Sequence, residues 1–198
     1  MIAIIDYGLG NLASVSNAFT KLGIPTEISS DPLVLTKTKA LIFPGVGAAG
    51  EGMKNLAKKG LTKVIQEEVK RGKPVLGICL GMQLLFDKSE EGNVNCLGLL
   101  KGQVKKFRKE RKIPQIGWNQ VTMKKLFFNI PDKSFFYFVN SYYCLPAEKS
   151  IIVGETDYGE KFASIIVQNN IIATQFHPEK SGKVGFQLLK NWRNYYVD

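Results

Sequence analysis

Histidine is almost missing from this sequence: His177 is the only one in 198 residues. Cysteine is sparse too, with Cys79, Cys96, Cys144 and no Cys-x-x-Cys pair. So few soft and imidazole ligands argue against a structural zinc site. Three cysteines cannot close a fully paired disulfide framework, which points to a reducing, cytoplasmic setting. No apolar run approaches the roughly 18 residues of a membrane span. Met1-Ile2-Ala3-Ile4-Ile5-Asp6 reads as a strand, without the basic lead and cleavage site of a signal peptide. Acidic residues are the minority charge, 17 against 27 Lys and Arg, for a net charge of +10. The densest basic stretch, Lys101 to Lys112, has no binding motif or set of stacking aromatics. It reads as a solvated hairpin rather than a nucleic-acid patch.

What the sequence does hold is enough for one α/β core, since 44% of its residues are hydrophobic. Ile2 to Ile5 suits a buried parallel strand. A helix follows, capped by Asn11, with Leu12, Val15, Phe19 and Leu22 on its apolar face and Gly23 at its end. Strands are predicted at Thr26 to Ser30 and Ala40 to Phe43, a helix at Leu61 to Arg71, and a strand after Pro74. Alternation at this spacing predicts a parallel sheet covered by helices. Beyond about Asn95 the pattern changes to strands with short connections: Gly102 to Phe107, Asn119 to Met123, Phe135 to Cys144, Ile151 to Thr156 and Ala163 to Gln168. Asn169-Asn170 predicts a hairpin turn, because asparagine tolerates positive φ. Val184 to Tyr195 is predicted as a closing helix. No linker or repeat interrupts the chain, so residues 1–198 read as a single domain.

Gly77-Ile78-Cys79-Leu80-Gly81 carries the chemistry. A glycine two residues before and two after a nucleophile is the spacing of a strand-to-helix elbow. The glycines allow backbone and side chains to pack where a Cβ would not fit. The Leu80 amide, at the start of the next helix, would face an oxyanion. Alone, the motif also fits a buried cysteine at a glycine-rich strand end. Gln175-Phe176-His177-Pro178-Glu179 supplies the imidazole that a cysteine nucleophile needs. If this segment is extended, His177 and Glu179 project to the same side, and the carboxylate orients the ring. Pro44-Gly45-Val46-Gly47 can turn backbone amides toward a ligand and supply a second oxyanion donor. A rival pattern is present: Gly8-Leu9-Gly10-Asn11-Leu12-Ala13, with Asp31 downstream, fits a dinucleotide fingerprint.

Gly77-Ile78-Cys79-Leu80-Gly81-Met82-Gln83 with Phe176-His177-Pro178-Glu179 resembles the class I (triad-type) glutamine amidotransferases. Asp6-Tyr7-Gly8-Leu9-Gly10-Asn11-Leu12, Pro44-Gly45-Val46-Gly47, Gly117-Trp118-Asn119 and His177-Pro178-Glu179-Lys180-Ser181 narrow the resemblance to glutaminase subunits of imidazole glycerol phosphate synthases. The resemblance displaces the dinucleotide reading and implies neither cofactor nor metal. It implies an α/β fold of the class I amidotransferase type, with a mainly parallel central sheet, flanking helices and additional antiparallel strands in the second half. It implies Cys79, His177 and Glu179 as the catalytic triad, with oxyanion donors from Leu80 and from Gly45, Val46 and Gly47. It further implies that Gly47, Gln83, Glu91, Ser141 and Tyr142 bind L-glutamine, and that Asn11, Trp118, Tyr137 and Lys180 face a partner. That partner would be a (β/α)8 cyclase subunit, paired with this chain as a heterodimer and receiving ammonia through a channel. It would make imidazole glycerol phosphate and aminoimidazole carboxamide ribotide in histidine biosynthesis. Gln115 and Asn140 stand where the family usually has histidine, and Lys101-Gly102 replaces a common Pro-Gly. These departures leave open a paralogous subunit that feeds a cyclase-like protein of amidino-sugar synthesis.

Overall fold

The structure, a computed structural model, describes residues 1–108, 112–124 and 127–197. Its first half runs β1 (Ile2–Ile5), α1 (Leu12–Lys21), β2 (Thr26–Ser29), α2 (Pro32–Lys37), β3 (Ala40–Gly45), α3 (Ala49–Lys58), α4 (Leu61–Lys70), β4 (Val75–Cys79) and α5 (Leu80–Leu84). β1, β3 and β4 are buried throughout, as apolar strands are when helices cover both faces of a parallel sheet. Asn11 caps α1 as expected, its Oδ1 accepting from the Ser14 amide at 3.3 Å.

Two helices escape the sequence reading. α2 is short, six residues. Its cap is Asp31, whose Oδ1 accepts from the Leu33 amide at 2.8 Å. The residue that fits a ribose-binding carboxylate is therefore engaged in a helix cap. α3 contains Gly50 and Gly52, poor helix formers that hide it.

The second half runs β5 (Lys88–Ser89), β6 (Val94–Asn95), β7 (Gly102–Lys106), β8 (Gln115–Met123), β9 (Ser134–Asn140), β10 (Tyr142–Pro146), β11 (Ile152–Asp157), β12 (Lys161–Gln168), β13 (Ile171–Thr174) and α6 (Gly182–Tyr196). The expected strand Phe135 to Cys144 is broken at Ser141. β9 turns to pair with β8, while β10 pairs with β7 and β12. Asn169 takes φ 52°, and the hairpin it predicts joins β12 to β13.

The described strands form one sheet in the order β2-β1-β3-β4-β13-β12-β10-β7-β5-β6, with β11, β8 and β9 branching from β12. β13 is the seam, pairing parallel with β4 on one side and antiparallel with β12 on the other. One face packs against α3, α4 and α5. The other is closed by α1 and α6, where Phe19 and Trp192 meet edge to face at 6.0 Å. A third core lies beneath β8 and β9, where Phe136 and Phe176 stack at 4.0 Å. In the basic stretch, Lys101 pairs with Asp87 at 3.0 Å and Arg108 with Glu90 at 3.2 Å, so part of its charge is neutralised locally. Lys109 and Arg111 of that stretch lie outside the described residues.

Candidate active site

Cys79 ends β4 with φ 54° and ψ −109°, a conformation that costs a non-glycine residue on the order of 1–3 kcal/mol. Strain of this kind, at a buried strand end followed at once by a helix, is the signature of the elbow. The flanking glycines have the reason the sequence suggests. A Cβ on Gly81 would run into the Phe43 carbonyl, and one on Gly77 would lie 3.0 Å from both Ala173 and Leu85. β3 brings the glycine loop alongside: Gly45 is the register partner of Cys79. A Cβ on Gly45 would strike the Tyr7 hydroxyl and come within 2.8 Å of Leu80. The loop thus lies against the elbow, and Gly47 takes φ 107°.

His177 reaches the same edge from the seam strand. Thr174 is in register with Ile78, so the residues after β13 emerge beside the end of β4. The His177 side chain is 3% exposed, and its Nδ1 lies 2.9 Å from Oε1 of Glu179, whose side chain is 1% exposed. The expectation of an extended segment is corrected here. Pro178–Lys180 forms a 3-10 turn, and it is the turn that brings the carboxylate back to the ring. With Nδ1 engaged, Nε2 is the nitrogen left for the Cys79 sulfur. Burial works to lower the His177 pKa. A hydrogen bond and charge from Cys79, followed by those of Glu179, overcome it and raise the value to about 10.

The backbone around His177 is clamped by Ser181 and Tyr137, in a role the sequence does not suggest for either. The Ser181 hydroxyl donates to the His177 carbonyl at 2.6 Å and accepts from the Tyr137 amide at 3.0 Å. The His177 amide donates to the Tyr137 carbonyl at 2.9 Å. Gln175 is also unassigned by sequence, although it opens the same motif. It is fully buried, with Nε2 donating to Cys79 Sγ at 3.7 Å and Oε1 accepting from Gln83 Nε2 at 3.1 Å.

A cavity of about 190 Å³ opens over Cys79. Its wall brings together Gly47, Gln83, Glu91, Ser141 and Tyr142, with Val46 and Leu80 beside them. The break at Ser141 between β9 and β10 is what turns Ser141 and Tyr142 into this wall. Glu91 is anchored by Oε2, which accepts from the Ala49 amide at 2.8 Å, and burial raises its pKa. The residues expected to face a partner sit on several elements. Trp118 and Tyr137 are register partners on β8 and β9, with rings 6.1 Å apart, edge to face. Trp118 is 56% exposed. Lys180 is exposed in the turn after His177, and Asn11 is exposed at the head of α1. Gln115 and Asn140 are register partners as well, and both are buried. Both side-chain polar atoms of Gln115 and the Oδ1 of Asn140 have no hydrogen-bond partner among the described residues. Among the described residues no three His, Cys, Asp or Glu side chains gather as a metal site.

Residues 3–193 match the family Glutamine amidotransferase class-I. The imidazole glycerol phosphate synthase subunit HisH of Dehalococcoides mccartyi strain CBDB1 is 50% identical over 196 residues, covering 97% of this chain and 96% of its own. The protein of the same name from Moorella thermoacetica is also 50% identical, over 195 residues, covering 96% and 93%. Among solved structures, one described as a glutamine amidotransferase superposes with a TM-score of 0.79 at 18% identity, covering 98% of both chains. A structure of PurLQS from Thermotoga maritima gives 0.77 at 18% identity, covering 98% and 97%. These structural likenesses bear on the fold, and the sequence matches on the family. The chain belongs to the class I glutamine amidotransferases and, within them, to the HisH subunits of imidazole glycerol phosphate synthase.

Proposed function

We propose that this chain is a glutaminase subunit that hydrolyses L-glutamine to glutamate and ammonia, with Cys79 as nucleophile. The observation that carries the reading is the single buried histidine engaged by the Cys79 sulfur on one side and by Glu179 on the other. Nε2 of His177 takes the thiol proton, and the sulfur attacks the side-chain carboxamide carbon. Glu179 keeps the ring oriented and stabilises its charged form. The Leu80 amide, with an amide from Gly45, Val46 or Gly47, holds the oxyanion. As the C–N bond breaks, the proton on His177 passes to the leaving ammonia. Water then attacks the thioester with His177 as base, and glutamate leaves. Gly47, Gln83, Glu91 and the backbone at Ser141-Tyr142 hold the substrate in the cavity over Cys79.

The ammonia is delivered to a (β/α)8 cyclase subunit, which makes imidazole glycerol phosphate and aminoimidazole carboxamide ribotide in histidine biosynthesis. Support comes from relatives about 50% identical over nearly the whole chain, named as subunits of imidazole glycerol phosphate synthase. They favour this acceptor over an amidino-sugar pathway. Asn11, Trp118, Tyr137 and Lys180 form the face that meets the cyclase. Residues 1–198 act as one amidotransferase domain in the cytoplasm, without metal or cofactor. No described helix is long and apolar enough to cross a membrane.

The test is glutamate release by the chain alone, then with the cyclase, with and without the cyclase's nucleotide substrate. Strong stimulation by cyclase and nucleotide together is expected. Absence of stimulation, with Cys79 still labelled by a glutamine analogue, would point to a different ammonia acceptor.

A further inference from the structure

Gln175 is held in one orientation by a chain of hydrogen bonds that begins at a backbone carbonyl. The Tyr142 carbonyl can only accept, so Gln83 must present its amide nitrogen to it, at 3.1 Å. The same nitrogen lies 3.1 Å from the Gln175 side chain, which must therefore turn its carbonyl oxygen toward Gln83. That leaves the Gln175 amide nitrogen facing Cys79 Sγ at 3.7 Å. Besides His177, the sulfur meets the Val139 carbonyl, also at 3.7 Å. The carbonyl is an acceptor, so it can hold the thiol hydrogen but offers nothing to a thiolate. Gln175 is fully buried, Gln83 is 4% exposed and Cys79 6% exposed, so water competes little for these contacts.

We infer that Gln175 is a catalytic residue that donates its side-chain N–H to the Cys79 thiolate, with Gln83 as the positioning residue that fixes its orientation. The inference deepens the glutaminase reading and rests on it. When His177 takes the thiol proton, the negative charge left on sulfur gains a neutral, preorganised donor on the side away from bulk water. Gln83 also lines the cavity over Cys79, so the substrate wall and the nucleophile share one hydrogen-bond chain. Other titratable groups respond to the charge on Cys79 as well: His177, the buried Tyr7 phenol and the buried Cys144 thiol. Gln175 differs from all three in carrying no charge of its own at any pH.

The test is the pH profile of Cys79 alkylation by iodoacetamide in the full chain, with the site of labelling read by mass spectrometry. Site resolution excludes Cys96, whose thiol burial pushes up to about 11, and Cys144. Gln175→Met keeps the volume and removes the donor. Its profile is expected to move to higher pH by about one unit, and kcat for glutamine is expected to fall about tenfold. Gln83→Met removes the positioning contact together with a substrate contact that alkylation does not read, and is expected to shift the profile the same way by less, which serves if Gln175→Met does not fold. An unmoved profile in a folded Gln175→Met chain, or in a folded Gln83→Met chain when the first does not fold, would overturn the inference. The alkylation assay needs no glutamine. A shifted profile in a chain that shows no glutaminase activity even with the cyclase and its nucleotide would therefore sink the glutaminase reading and leave the donor assignment standing.

Discussion

Nδ1 of His177 lies 2.9 Å from Oε1 of Glu179, and a single 3-10 turn through Pro178 makes the contact. The other carboxylate oxygen, Oε2, is buried and has no hydrogen-bond partner among the described residues. Orientation of the ring is what this pairing achieves.

Glu179→Gln should therefore lower kcat by about 10³–10⁴ while the chain remains folded. Because His177 is the only histidine, its ring protons give one unambiguous NMR titration. In the wild-type chain they should titrate near 10, and in Glu179→Gln at a lower pH. The folded-state value lies above the ordinary 6.5, so the stability this charge contributes is fully present below about 6.5. It is lost as the pH rises through about 10. Urea melts across that range, compared with His177→Gln, read this contribution.

Cys79→Ala should reduce glutamate release by about 10⁴-fold or more and leave cyclase binding intact. It should also lower the pH at which His177 titrates, since the sulfur is one of the two groups that raise it. Substantial hydrolysis by the variant would mean that another group is the nucleophile.

Gly81→Ala places a Cβ on the Phe43 carbonyl, where backbone must move to make room. A loss of about 3 kcal/mol or more, or failure to fold, is expected. Gly23→Ala is the control. Gly23 takes φ 69° and has nothing among the described residues within 4 Å of an added Cβ, so only the backbone strain of about 1–2 kcal/mol applies. Chemical denaturation of the two variants separates collision from strain.

Gln115 is 2% exposed, with both side-chain amide atoms unpaired among the described residues. Gln115→Met keeps the volume and removes both, and should stabilise the chain by about 1–2 kcal/mol in urea melts. A destabilised variant would mean that a bound molecule satisfies the amide in solution.

The site was legible where chemistry demands particular residue types. Glycines at Gly77 and Gly81, a lone histidine and a nearby carboxylate could be read directly, as could the parallel strands that carry them. Helix α3 was hidden because Gly50 and Gly52 lower its propensity, while tertiary packing holds it. A Cβ on Gly52 would lie 3.0 Å from Leu84. The break at Ser141 was hidden because Phe135 to Cys144 is uniformly strand-like, and only the change of pairing partner splits it. Gln175 was hidden for a different reason. An amide in an apolar strand end has no meaning until the strand is set beside Cys79.

The seam strand β13 also has a consequence for how the chain is made. β4 carries Cys79, yet its neighbour on one side is supplied by Ile171–Thr174, near the end of the chain. During synthesis, β1, β3 and β4 can pair early, but β4 then remains a bare apolar edge until the last strand emerges. Such edges invite pairing with other chains. Closing this gap joins residues nearly a hundred positions apart, and contacts of that range form late. The act that covers the edge also delivers His177 to Cys79, so a ribosome-bound nascent chain holds the two apart until the sheet is sealed.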